Sequence, residues 1–131
     1  MANDMIVQRY IPDPMTLEGL KFDLRIYVVI VDLDVPQAYI CSEGLARFCT
    51  ESYQAPTPGN FRDFFRHLTN YSLNKNNTEF DSEKHKLRLK DVLRGELVST
   101  SQTGKTYRKT AKQIWHEIEQ IVVKTVFVVQ P

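Results

Sequence analysis

Lys21, Asp23 and Arg25 are charged residues spaced two apart, and they form the run in this chain best suited to chemistry. On a β-strand, alternate residues share a face and stand about 7 Å apart. A cation, an anion and a cation on that scale match a nucleotide phosphate chain with its ribose or metal. Lysine would serve as a point charge, and arginine as a two-pronged donor for phosphate or carboxylate. A solvent-facing salt-bridge ladder has the same pattern and is the commoner case. A second run, His67-Leu68-Thr69-Asn70-Tyr71-Ser72, is dense in short hydrogen-bonding side chains. Such runs either turn the backbone, which is more frequent, or line a polar pocket.

Other chemistries lack their residues. The phosphate loops GxxxxGK(S/T) and GxGxxG are absent, and no Ser–His–Asp or Cys–His arrangement can be argued. His67, His85 and His116 have no ligand spacing, so no metal site is expected. Cys41 and Cys49 fit neither a zinc site nor a disulfide scaffold, and free thiols of the cytosol are expected.

The elements that must position these residues follow from periodicity. Met5 to Ile11 reads as a short strand, stopped by Pro12-Asp13-Pro14. Lys21 to Asp32 is the clearest strand. Phe22, Leu24, Ile26, Val28 and Ile30 point one way, and Lys21, Asp23, Arg25 and Tyr27 the other. Val35-Pro36 turns the chain into a partner strand over Gln37 to Cys41. Glu43-Gly44 predicts a break, followed by a further short strand over Leu45 to Thr50. Ser52 to Asn60 predicts a loop, and Asn70 to Lys86 an irregular one. A short helix is expected over Leu87 to Leu97 and a turn-rich linker over Ser99 to Gly104. The 3.6-residue spacing of Ile114, Ile118, Ile121, Val122 and Thr125 predicts a helix over Arg108 to Val128. Thr106 or Thr110 could cap it, and Pro131 would mark its end. The apolar run Val126-Phe127-Val128-Val129 then needs something to pack against.

With 131 residues, 42% hydrophobic and 25% charged, the chain has the makings of one globular domain or part of one. No apolar run reaches the roughly 18 residues of a membrane span. The net charge of +1 is unevenly spread: residues 1–83 carry −5, residues 84–112 carry +7, and the remainder −1. A local basic block suits a local anionic partner rather than nucleic acid in general. A solvated surface segment would look the same.

Gln8-Arg9-Tyr10-Ile11, Lys21-Phe22-Asp23-Leu24-Arg25, Glu43-Gly44-Leu45-Ala46-Arg47-Phe48, and His67 to Ser72 with Asn74-Lys75 occur in that order. In order and wording they resemble the tubulin–tyrosine ligase-like family. The likeness runs on from Trp115 to Pro131 and covers nearly the whole chain. KFDLR, EGLAR and HLTNYS are more similar to the polyglutamylating branch than to the tyrosinating one.

The resemblance implies an α+β fold: part of an ATP-grasp domain over residues 1–131, an antiparallel sheet with a long C-terminal helix. It implies an ATP-dependent carboxylate–amine ligase that adds glutamate, or less readily glycine or tyrosine, to a protein carboxylate through an acylphosphate. Gln8, Arg9, Tyr10 and Ile11 look like the strand that receives adenine. Lys21 and Asp23 look like the holders of the phosphate and ribose end, and Thr69 and Asn70 like further nucleotide contacts. Arg47 looks like the clamp for the incoming amino acid's carboxylate, beside contacts at Tyr71, Ser72 and Lys84, with Lys86 the alternative to Lys84. Lys21, Arg25 and Arg47 are the implied catalytic cations. The implied partners are free glutamate and an acidic tubulin tail, with no nucleic acid and no membrane. The implied setting is the cytoplasm, at the cytoskeleton or cilium.

The family's magnesium ligands, an Asp and a Glu-x-Asn pair, lie after the long helix, and no Glu-x-Asn occurs in this chain. The sequence is therefore expected to be an internal piece of such an enzyme, from a truncated or split gene, and inactive in ligation by itself. A non-catalytic module that keeps nucleotide or acidic-tail contacts is the competing expectation.

Overall fold

The structure, a computed structural model, describes residues 6–101 and 103–129. It contains two antiparallel sheets and a long C-terminal helix. The first sheet has the order β1 (Thr16–Leu17), β2 (Leu20–Asp32), β3 (Gln37–Ser52) and β4 (Lys86–Arg88). The second is the hairpin of β5 (Glu96–Thr100) and β6 (Thr106–Thr110), which runs straight into the helix α5 (Ala111–Val128). Four single-turn helices decorate the connections: α1 (Phe64–His67), α2 (Tyr71–Asn74), α3 (Ser82–His85) and α4 (Leu89–Val92).

Strand β2 alternates as its sequence predicts over its first half; of the outer residues expected on the apolar face, Ile30 is exposed and neither it nor Val28 packs on the core. Phe22, Leu24 and Ile26 turn toward a core of Leu20, Ala46, Phe48, Leu89, Val92, Leu93, Leu97, Ile114 and Ile118. Burying these side chains is the main drive to hold helix α5 and the hairpin against the first sheet. Lys21, Asp23 and Arg25 are thereby left on the opposite face.

Several expectations are corrected. Ile6 to Ile11 form no strand, because a strand needs a partner ladder and none pairs with them among the described residues; Met5 lies outside those residues. Gln37–Ser52 is one continuous strand, not two. The excess residues around Glu43-Gly44 are taken up as a bulge, since Ile26 pairs with Gly44 but Val28 pairs with Ile40. A Cβ on Gly44 would overlap the Arg25 carbonyl oxygen, so glycine here permits a close strand approach rather than a break.

The stretch Asn70 to Lys86 is more ordered than its polarity suggests, because side chains supply the turns. Asn74 anchors α2, and the Asp81 carboxylate accepts from the Glu83 N–H to cap α3. The helix expected over Leu87 to Leu97 is reduced to α4. Lys86 to Arg88 instead pair with the edge of β3, and Gly95, at φ +81°, turns the chain into β5. Ser99 and Thr100 belong to β5 rather than to a linker. Helix α5 begins at Ala111 because Thr106–Thr110 pair with β5. Of the two candidate caps it is Thr110 that serves, in a reciprocal capping box with Gln113. Val126 is buried, while Phe127, Val128 and Val129 are exposed; the expected stop at Pro131 lies outside the described residues.

Candidate functional site

The polar face of the first sheet carries a charged row that crosses three strands. In the strand register Asp23 on β2 faces Arg47 on β3, and Arg47 faces Lys86 on β4. The Arg47 Nε donates to one Asp23 carboxylate oxygen at 2.8 Å and Nη2 donates to the other, a bidentate pair. The Asp23 hydrogen bonds hold the Arg47 guanidinium still more firmly in its charged form, against an opposing effect of burial. The pair uses the Nε and Nη2 side of the fork. The Nη1 donors remain available to a carboxylate or phosphate.

Lys21 stands two residues from Asp23 on the same face. Its ammonium donates to the Tyr10 hydroxyl at 3.0 Å and to the His67 carbonyl at 2.9 Å, and sits 4.2 Å from the Tyr10 ring centroid. At the other end of the row the Lys86 ammonium lies 5.2 Å from the Tyr71 ring centroid. The segment from His67 to Tyr71 therefore spans the row from Lys21 to Lys86.

That span is pinned from below by one amide. Asn74 is fully buried, and its Oδ1 accepts from the Thr50 N–H and the Thr50 hydroxyl, each at 2.9 Å. Its Nδ2 donates to the Leu68 carbonyl at 2.7 Å and to the Asn70 carbonyl at 3.0 Å. Every hydrogen-bonding capacity of the side chain ties the turn to β3. Of the two readings of the His67-to-Ser72 run, this arrangement realises the turn.

A family model described as the tubulin-tyrosine ligase family matches residues 1–130. The chain belongs to the tubulin-tyrosine ligase family. Tubulin polyglutamylase ttll-11 of Caenorhabditis elegans is 43% identical over 131 residues, covering 96% of this chain and 18% of that protein. Tubulin polyglutamylase TTLL6 of Homo sapiens is 38% identical over 130 residues, covering 99% of this chain and 14% of that protein. A probable beta-tubulin polyglutamylase of Tetrahymena thermophila is 36% identical, covering 99% of this chain and 11% of that protein. The chain thus spans less than a fifth of the length of these relatives.

The residues this family member was expected to use are not all brought together. Lys21, Asp23, Arg47, Tyr10 and the His67–Tyr71 span share one surface, with Thr69 half-buried and Asn70 and Ser72 exposed on or beside it. Arg25 is on the same face but exposed, its guanidinium 5.6 Å from the Tyr27 ring centroid. Gln8, Arg9 and Ile11 are exposed and in no regular element. Lys84 lines a hollow with Leu17, Leu20 and Phe48, on the apolar side of the sheet, whereas the alternative Lys86 is in the row. The strand alternation alone could not reveal this. Only the pairing of β4 with β3 places position 86 opposite Arg47.

Asn74, Asn60 and Tyr53 were not singled out from sequence, although Asn74 stands in the quoted motif. Tyr53 donates to the Pro12 carbonyl at 2.5 Å, and burial, with Tyr10 adding to it, pushes its phenol well above the usual range.

The two thiols differ in a way that can be measured. Cys49 is fully buried on β3, and burial pushes its thiol up to about 12, with Lys21 opposing and Asp23 adding. Cys41 is only partly buried. In native protein at pH about 8, Ellman's reagent is expected to titrate Cys41 readily and Cys49 only after unfolding. Because the folded state holds the Cys49 proton more tightly than the unfolded chain, stability falls as pH rises from the ordinary thiol value of 9.0 toward about 12. Fast labelling of both thiols in native protein would contradict this.

Proposed function

We propose that this chain is part of the catalytic domain of an ATP-dependent ligase with an ATP-grasp fold that joins glutamate to a side-chain carboxylate of tubulin. One observation carries the reading: Lys21, Arg47 and Lys86 converge with Asp23 under the Thr69–Tyr71 turn on one face of the sheet. A triphosphate and a dicarboxylate together need several cations held near one another, with their geometry set before binding.

The residues fit a nucleotide. In this reading Lys21 has a third ammonium donor for a phosphate oxygen, and Asp23 keeps lone pairs for a ribose hydroxyl while Arg47 holds it in place. Gln8 to Ile11, Thr69 and Asn70 complete the nucleotide side. Arg47, through its Nη1 donors, takes the carboxylate of the amino acid, with Tyr71, Ser72 and Lys86 beside it; Lys84, on the apolar side of the sheet, is not assigned to this carboxylate. ATP supplies the phosphoryl group that turns the acceptor carboxylate into an acylphosphate; the glutamate amine then displaces phosphate and gives up a proton. Among the described residues no group of three or more His, Cys, Asp or Glu could hold a metal ion, and magnesium is assigned no ligand among them.

The basic segment 84–112 is partly spent on its own surface. Lys90, Arg94, Arg108 and Lys109 pair with Glu43, Asp91, Glu96 and Glu117. Lys84, Lys86, Arg88, Lys105 and Lys112 make no ion pair among the described residues, and these are the cations proposed to steer an acidic tubulin tail. Among the described residues no helix is long and apolar enough to cross a membrane.

The test uses the longer protein that carries this chain, with ATP, magnesium, labelled glutamate and tubulin. ATP-dependent glutamyl additions to tubulin, read by mass spectrometry, are expected, and none from the 131-residue chain alone. Transfer of glycine or tyrosine but not glutamate would overturn the amino-acid assignment. Product from the short chain alone would overturn the view that it is one part of the catalytic machinery.

A further inference from the structure

We propose that His67 is a positioning residue: acting through the Tyr10 hydroxyl, its imidazole fixes the direction of the Lys21 ammonium. The purpose of this device rests on the nucleotide reading above; its geometry does not.

His67 is only 5% exposed, and both ring nitrogens are engaged. Its Nε2 lies 3.0 Å from the Asn60 carbonyl oxygen, which can only accept, so Nε2 carries the proton. In the neutral imidazole Nδ1 is then a bare lone pair, 3.2 Å from the Tyr10 hydroxyl. The ammonium can only donate, so the Tyr10 oxygen accepts from Lys21 at 3.0 Å, and we assign its O–H proton to Nδ1 rather than to the neighbouring Tyr53 hydroxyl. The chain of donors therefore runs one way, from Lys21 to Tyr10 to His67 to Asn60. The backbone of the same histidine holds a second ammonium proton through its carbonyl at 2.9 Å. Two of the three Lys21 donors are thus used, and the third has no hydrogen-bond partner among the described residues.

The imidazole itself has little freedom. Tyr10 and Tyr53 meet its ring edge-on, with centroids at 6.0 and 6.2 Å. Asn60 is in turn braced by its own amide, which donates to the Ala55 carbonyl at 3.0 Å and accepts from the Thr57 N–H at 2.6 Å. A lysine on a flexible four-carbon stem is otherwise free to sample many directions. Orientation by outer groups of this kind is what makes a binding group effective.

Two substitutions separate the functions of the ring. In His67→Asn the side-chain oxygen can stand where Nδ1 was and still accept from Tyr10. In His67→Gln the amide nitrogen can stand where Nε2 was, so the Asn60 contact survives and the Tyr10 contact is lost. Tyr10→Phe removes the relay but keeps the ring under the ammonium. Acetylation of Lys21 by a water-soluble active ester, followed by peptide mass spectrometry, reads how tightly the amine is held without any nucleotide. His67→Gln and Tyr10→Phe are expected to speed it about five-fold, the order of one lost hydrogen bond, and His67→Asn to leave it within about two-fold. Equal rates in all four proteins, or a change in His67→Asn as large as in His67→Gln, would overturn the proposal. The wild-type chain gives an answer that needs no variant: nitrogen-15 imidazole spectra are expected to show the proton of His67 on Nε2, and a proton on Nδ1 alone would also overturn it. In the longer protein, ATP affinity is expected to fall in the same order across the variants. If no protein of the set binds ATP while the acetylation pattern holds, the nucleotide reading fails and the positioning role stands.

Discussion

Asn74→Ala is expected to lower the unfolding free energy by about 3 kcal/mol or more. The substitution removes four hydrogen bonds at once. It leaves the Thr50 N–H and the Leu68 carbonyl with no replacement inside the fold, and a buried orphan of that kind costs about 1–3 kcal/mol. Domains of this size are stable by only about 5–15 kcal/mol, so urea denaturation would show a large shift in midpoint. Asn74→Asp sharpens the test. The carboxylate keeps the acceptor for Thr50 but turns negative charge toward the Leu68 and Asn70 carbonyls. A proton on that carboxyl would restore one donor, so the folded state binds the proton more tightly than the unfolded one. The loss is then greatest at neutral pH and shrinks as the pH falls. A change below about 1 kcal/mol for either variant would mean that Asn74 does not pin the turn.

The second large effect falls on turnover and spares stability. Arg47→Lys in the longer protein is expected to reduce kcat/KM for ligation roughly 100-fold, because an ammonium cannot hold Asp23 with two donors and present others to a substrate carboxylate. The Asp23 and Arg47 side chains are 38% and 27% exposed, so their pair is partly screened by solvent. The cost to folding should stay near or below about 1 kcal/mol. Steady-state rates with glutamate and ATP varied in turn would place the defect. A raised KM for glutamate supports the clamp, a raised KM for ATP would move Arg47 to the nucleotide side, and unchanged rates would remove it from the site.

These two residues also show what could be read before the fold was known. Asp23 was legible because its neighbours alternate in polarity, and alternation on a strand is a local property; Arg47, among Leu45, Ala46, Phe48 and Cys49, was reached only through the family resemblance. Asn74 was not legible, because an asparagine among asparagines gives no sign of being buried; its role depends on Thr50, which is distant in sequence and lies across the turn. The same limit explains the elements. The run of β2 was clear since one face meets the core and the other does not. The hairpin of β5 and β6 was missed because two five-residue strands of mixed polarity, Glu96–Thr100 and Thr106–Thr110, are identified by each other rather than by their own pattern. Lys86 and Lys84 differ by two positions and point to opposite surroundings only after β4 joins the sheet. Thr110 was one of two candidate caps, and a capping box with Gln113 decided between them.

The bulge between β2 and β3 has a consequence for how such chains tolerate changes in length. From Ile26 to Val28 strand β2 advances by two residues while β3, from Gly44 back to Ile40, spends four. The surplus is even, so parity is kept and each side chain beyond it stays on the side it would have had in an uninterrupted ladder. Relatives could gain or lose residues in pairs at this point, lengthening or trimming the far end of the hairpin, without rotating Asp23 or Arg47 out of alignment. A change by one residue would turn the outer half inside out.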